Sequence, residues 1–337
     1  MTINQPPLQP TPVGAFRFNT DSAKMEYYDG NQWVNVTSTS PEAQTGGARG
    51  MTAAGSEPGA ADHIDYWNIA TTGNAANFGE ITTNTEYLAA GQGSSRTRGI
   101  FAGGRTPTYV NTIEYVTIAT TGDAADFGDL TVTRHYGGIA SDGSRAVVAG
   151  GHNSPVNVNT IDYITISSTG DAKDFGDTTK AISDHGAFAS PTRAVFGGTN
   201  ADDHMEYITI ATLGNGSNFG DNTSSLTQTG GGSNAIRGIV SGGSTPTVIN
   251  TMTYVTIATL GNAKDFGDLT VIRRIVGCVT SPTRLCTAGG RTADPTNVNT
   301  IDYVQIMTTG NAVDFGDLTG AIFGNVSGNS NGHGGLG

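Results

Sequence analysis

The stretch Asn159-Thr160-Ile161-Asp162-Tyr163-Ile164-Thr165-Ile166-Ser167-Ser168-Thr169-Gly170-Asp171-Ala172-Lys173-Asp174-Phe175-Gly176-Asp177 decides the fold, because the chain repeats it six times in recognisable form. Tyr66, Tyr115, Tyr163, Tyr207, Tyr254 and Tyr303 each stand twelve residues before a Phe-Gly pair, at Phe78, Phe127, Phe175, Phe219, Phe266 and Phe315. Successive tyrosines are 49, 48, 44, 47 and 49 residues apart. Ile161, Tyr163 and Thr165 alternate along one face of a strand, and Gly170-Asp171 reads as the turn after it. Strand-bearing repeats of this length are the signature of a β-propeller, one repeat to a blade.

Each full repeat divides into four short strands. In the third, strand a is 136–141, strand b 145–149 and strand c 160–166, and strand d covers Phe175 and the residues after it. Double glycines end strand b at Gly103-Gly104, Gly150-Gly151, Gly197-Gly198, Gly242-Gly243 and Gly289-Gly290, where a Cβ would clash as backbones crowd toward an axis. The first repeat has no apolar strand a before Arg49. After the sixth Phe-Gly, Phe323-Gly324-Asn325-Val326-Ser327-Gly328 aligns with 136–141, so segment 321–328 is expected to complete the first blade. The expected organisation is an arm over 1–12, a small β-module over 13–37, a linker over 38–47, a six-bladed propeller over 48–328 and a glycine-rich tail over 329–337.

Composition agrees with an all-β chain. Of 337 residues, 49 are glycine, and only 36% are hydrophobic and 14% charged. This suits tight turns and Thr-rich strands, and lacks the Ala/Glu/Lys/Leu bias of a helical solenoid. A net charge of −12 disfavours nucleic acid and anionic membranes as partners. No apolar run has the length of a membrane helix and no signal peptide precedes the first strand, so synthesis in a cytoplasm is expected. Cys278 and Cys286 lie on two arms of one hairpin. They face opposite sides if the turn has two residues and each other if it has three, and two buried free thiols are the expectation.

The segment 13–37 is aromatic. Phe16, Phe18, Tyr27, Tyr28 and Trp33 fall in three short strands, with Asp29-Gly30 as a hairpin turn. Three such strands cannot bury that much apolar surface alone, so these five residues are the candidate anchoring set, docking on copies of the module or on another protein.

A double glycine, then a tyrosine beside an acid, then an aromatic twelve residues on, resembles the Kelch repeat. Here the aromatic is Phe instead of Trp, and the acid precedes the tyrosine. More narrowly, the pattern Asn-Thr-Ile-Asp-Tyr through Asp-Phe-Gly-Asp is similar to Kelch-like propellers of tailed phages of the marine and cyanophage type. It covers residues 46–328. Residues 14–34, from Gly14-Ala15-Phe16-Arg17-Phe18 to Gln32-Trp33-Val34, are similar to a short module of tail fibres and other virion proteins. The resemblance implies a non-enzymatic virion protein of tail-fibre or head-decoration type, synthesised in the host cytoplasm and a homo-oligomer in the particle. Its N-terminal module would hold other virion proteins, and its propeller would bind a host-surface glycan or protein. The alternatives are a structural cement with no host ligand, or a generic Kelch-type interaction propeller.

No catalytic, cofactor or metal site is expected. Asp-Phe-Gly recurs with the period and lacks the other parts of a kinase site. The turn acids Asp123, Asp126 and Asp129 are spaced by three, which suits Asx turns better than a calcium loop. Arg49, Arg98, Arg145, Arg193, Arg237 and Arg284 open each strand b, and the acids Asp65, Glu114, Asp162, Glu206 and Asp302 before the tyrosines are their expected ion-pair partners. The alternative is a ring of arginines gripping an axial anion. Function is expected where repeats differ, in the b–c loops, and Tyr109, His152, His204 and Arg291 are the candidate ligand-binding residues there.

Overall fold

The computed structural model describes residues 11–19, 24–35, 48–56, 60–197, 202–293, 295–321 and 327–336. Its elements are β-strands, apart from one 3-10 turn at Gly334–Leu336, and nearly all strand pairing is antiparallel. No helix among the described residues is long and apolar enough to cross a membrane. The chain separates into two units, Met1–Thr45 and Gly46–Gly337.

In the first unit, Phe16–Asn19, Lys24–Tyr28 and Trp33–Asn35 form one sheet in that order. Phe16 lies opposite Tyr27, and Phe18 opposite Met25. The second hairpin is held by Asp29, whose Oδ1 accepts the N–H groups of Asn31 and Gln32 at 2.8 Å each. Alternation divides the aromatic residues between two faces. Phe16, Phe18, Met25 and Tyr27 share one face, and all four are exposed. On the other, Arg17 Nε donates to Glu26 Oε2 at 2.8 Å and the guanidinium lies 4.3 Å over the Trp33 ring, with Tyr28 packed at 5.5 Å.

In the second unit, the third repeat forms one sheet from Gly138–Ser141, Arg145–Ala149, Thr160–Thr165 and Lys173–Asp177, in sequence order. Tyr163 pairs with Val147 on one side and Lys173 on the other, and a bulge follows at Ile161/Asp162. Two residues beyond Lys173, Phe175 meets the Tyr163 ring edge-on at 6.1 Å. The twelve-residue spacing is therefore one hairpin plus two residues, and the same edge contact recurs in all six repeats at 5.7–6.1 Å. Repeats four to six have the same four-stranded order. The second differs: its inner segment Ala90–Gln92 pairs in parallel with Gly138–Ser141 of the third. Gly91 makes this possible, since a Cβ there would fall 2.1 Å from the Ile139 carbonyl oxygen.

The first repeat takes its inner strand from the far end of the chain. Ser327–Ser330 pairs with Arg49–Ser56, placing Ser327 opposite Ala53 and Ser330 opposite Gly50. The expected alignment is thereby corrected by two residues, because Ser330, not Gly328, takes the place that Ser141 holds opposite Ala146. Residues 322–326 lie outside the described residues. The expected tail from 329 is instead packed, with Asn329, Ser330 and His333 buried. Apolar pattern could not reveal this strand, since hydrogen bonds support it. Asn329 accepts from Gly93 N at 3.1 Å and donates to Ile100 O at 2.8 Å, and Ser330 Oγ donates to Thr280 O at 2.5 Å.

Apolar side chains collect between consecutive repeats. Phe127 and Leu130 of the second pack with Ile164 and Ile166 of the third, and Phe175 of the third packs with Ile208 and Ile210 of the fourth. The series continues until Phe315 and Leu318 of the sixth pack with Trp67 and Ile69 of the first. Strand c is therefore buried on both faces, with Ile161, Asp162 and Ile164 all inaccessible. Burial of this kind supplies most of the folding free energy, at roughly 25 cal/mol per Å² of apolar surface.

Candidate binding site

The repeated polar residues hold one repeat to the next. Each strand-b arginine lies 4.2–4.8 Å over the tyrosine of its own repeat. Its Nη1 donates to a carbonyl of the following repeat, as Arg145 does to Ile210 at 2.7 Å. The expected ion pair with the acid before the tyrosine is absent, and so is a free arginine ring for an anion. Strand register is the reason: Arg145 lies opposite Thr165, whereas Asp162 lies opposite Val148, three residues along.

Those acids face the preceding repeat. Asp162 accepts from Thr131 Oγ1 at 2.6 Å and from its N–H at 3.0 Å; Glu206, Asp302 and Asp65 receive Thr179, Thr270 and Thr319 in the same way. Thr253, in the acid's place, donates to Asn222 Oδ1 at 2.8 Å instead. Two buried arginines join two of these acids: Arg134 reaches Asp162 at 2.6 Å and Arg273 reaches Asp302 at 2.8 Å. Glu114 has no such partner, and burial pushes its carboxyl up. The turn residues also cap across the junction, with Asp171 Oδ1 accepting Asp129 N–H at 3.1 Å. Among the described residues, no group of three or more His, Cys, Asp or Glu could hold a metal ion. Cys278 and Cys286 are free and buried, and Val279, not Cys278, lies opposite Cys286, so the thiols point to opposite faces.

The strand ends that carry the b–c loops differ from repeat to repeat. His152 pairs with His135, and Arg105 with Glu86, in isolated bridges that join each loop to the connection entering its own repeat. The residue after each bridge partner in the entering connections, Tyr87, Tyr136, Gln228 and Ile275, has a left-handed backbone, as does Asp184 at the equivalent place, all with φ of 57–59°. Each of the last four donates its N–H to the carbonyl of the one before, from Tyr136 to Tyr87 at 3.1 Å through Ile275 to Gln228 at 2.7 Å. All five stand nine residues after a repeat phenylalanine.

Here the structure brings Tyr109 and His152 together. The Tyr109 ring stacks on His135 at 4.6 Å and 8°, His152 meets both edge-on, and Tyr136 lies 4.5 Å from His135 and 4.4 Å from Tyr87. Burial holds His135 down to about 4, so it is neutral at pH 7, with Nδ1 donating to the His152 carbonyl at 3.0 Å. Tyr109, His135, Tyr136 and His152 line an open cleft of about 890 Å³ that also touches Asn157, Asp184 and Gln228. His204 does not line it; its Nε2 lies 3.4 Å from Glu206 Oε1. Nor does Arg291, whose Nε donates to Asn297 at 3.1 Å, although its charge reaches Tyr87. The sequence reading missed His135, Tyr136 and Asp184. The signal for Tyr136 and Asp184 is the fixed offset of nine from the phenylalanine, at which the repeats carry unlike residues, and His135 directly precedes one of them.

Compared with models of known protein families and with characterised proteins, the chain matches none.

Proposed function

We propose that residues from 48 onward form a six-bladed, Kelch-like β-propeller closed by its C-terminal strand, and that the protein binds rather than catalyses. The observation that supports this is the cyclic order of the junctions. The arginine contact passes from each repeat to the next, and Arg284 of the sixth returns to Ile69 of the first at 3.1 Å. A closed set of blades removes the exposed strand edges that invite aggregation. It also presents unlike loops on a uniform support, the usual arrangement for recognition.

With the resemblance of both segments to tailed-phage proteins, the reading extends to a virion structural protein of tail-fibre or head-decoration type. The exposed face of Phe16, Phe18 and Tyr27 supports the role of the N-terminal module as the anchor to other virion proteins. The loop cleft is the surface left for a host glycan or protein. The test is to label purified particles with antibody against the full chain. Decoration of tail or head supports the reading, and undecorated particles from a culture that makes the chain overturn it. A chain found on particles that recognises no host surface would be the cement protein instead.

A further inference from the structure

We propose that the cleft formed by Tyr109, Tyr136, Asp184, Gln228 and Asn157 binds a neutral saccharide. The proposal rests on the reading of this face as a displayed binding surface and names the chemistry it takes.

The backbone supplies the first argument. Among the described residues, positive φ is otherwise confined to glycine, which adopts it without strain. At five equivalent positions the chain uses Tyr, Tyr, Asp, Gln and Ile instead, each at roughly 1 kcal/mol or more. The backbone bonds among these five would form equally well with glycine, so the strain is retained for side chains. Those side chains differ at every blade but one, whereas the scaffold residues are uniform. Three of them, Tyr136, Asp184 and Gln228, line the cleft.

The chemistry of the lining supplies the second. Tyr109 and Tyr136 are part-exposed rings, suited to the C–H faces of a pyranose. Asp184 Oδ2 accepts from Ser183 Oγ at 2.9 Å, which leaves Oδ1 to accept from a ligand hydroxyl. Gln228 Oε1 is taken by Arg274 at 2.8 Å and Asn157 Oδ1 by His152 at 2.8 Å, so each amide keeps its NH₂ as donor. An acceptor and two donors beside aromatic faces match the vicinal hydroxyls of a sugar. No lysine or arginine is among the described residues lining the cleft, which disfavours phosphate and acidic sugars. The cleft is open and its hydrogen-bonding groups come from side chains, which suits a solvated sugar better than an apolar peptide anchor.

The test is binding of the full chain to an array of defined neutral, uronic and sialylated oligosaccharides, with Asp184→Gly and Tyr109→Ala as variants. The expected result is retention of neutral saccharides by the wild type and at least a tenfold loss of affinity in both variants. Asp184→Gly should keep or raise the melting temperature, because glycine relieves the strained φ, so its loss of binding could not be a loss of fold. Failure of the wild type to retain any neutral saccharide overturns the proposal, as does unchanged binding by the two variants. Particle labelling is independent of this result: a chain that decorates virions but binds no sugar retains the proposed function and loses the saccharide site.

Discussion

Arg284 lies 4.8 Å over the ring of Tyr303 and donates from Nη1 to the carbonyl of Ile69, 215 residues earlier in the chain. A second bond from the same nitrogen reaches Ala70 at 2.8 Å. The contact has the same form as Arg145 over Tyr163 with its bond to Ile210, which joins neighbours in sequence.

Arg284→Gln and Arg145→Gln should therefore destabilise equally. A part-exposed cation–π contact and a charge-assisted hydrogen bond together suggest about 1–2 kcal/mol for each. Calorimetry should show one transition for both variants, lowered by similar amounts. In an open array the Arg284 variant would be near neutral, and the terminal repeats would melt separately.

Deleting residues 327–337 should expose the edge of strand Arg49–Ser56 and remove the buried Asn329, Ser330 and His333. The expected outcome is a lowered melting temperature and aggregation on size-exclusion chromatography. A monodisperse truncated chain with an unchanged melting curve would contradict the closure.

The buried pair of Arg134 and Asp162 is more than 98% inaccessible on both sides, at 1% and 0% exposure. Asp162→Thr alone leaves an unpaired buried guanidinium and should destabilise by about 3–5 kcal/mol. The pair occurs at two junctions, and one other junction lacks both of its members. There Asn222, Leu226 and Thr253 occupy the places of Leu130, Arg134 and Asp162, with Thr253 bonded to Asn222. The triple variant L130N/R134L/D162T should recover most of the loss in urea denaturation, and no recovery would show that the junctions are not interchangeable.

Burial holds His135, His185 and His333 down to about 4, below the ordinary 6.5. Between these values the unfolded chain binds more protons than the folded one, so stability is complete above pH 6.5 and falls as pH drops toward 4. His185 and His333, fully enclosed, each contribute up to roughly 3 kcal/mol across that window, and the less enclosed His135 contributes less. Glu114 and Asp184, raised by burial, act in the opposite direction. Denaturation midpoints should drop between pH 7 and 4.5, and His333→Gln should flatten the slope. An identical slope in that variant would exclude His333 from the effect.

The repeat and its strands were legible because Tyr163, Phe175 and Gly176 act through local geometry that recurs without exception. A hairpin of fixed length fixes the Tyr–Phe distance in sequence. The glycine after each phenylalanine is fixed as well, since a Cβ on Gly316 would fall 2.5 Å from the carbonyl oxygen of Gly73. Arg145 was visible as a repeated residue, but its partner was not, because the backbone carbonyl it bonds carries no residue identity. The closing strand was misplaced by two residues because Asn329 and Ser330 are buried by hydrogen bonding, which hydrophobic pattern does not register. The cleft was half legible. Tyr109 and His152 stood out in variable loops, whereas Tyr136 and Asp184 sat in a connection whose left-handed backbone no residue type announces.

The junction contacts all point one way around the second unit, from each repeat to the one after it. Every repeat thus carries a complete plug on one side and a complete socket on the other, and neither depends on its place in the chain. Junction chemistry alone would permit five repeats or seven. Where strands of different repeats meet most closely, Gly91 against Ile139 and Gly328 against Cys278, there is no space for a Cβ. In the propeller proposed above, it is these glycines, which contribute no side-chain contact of their own, that would set the number of blades.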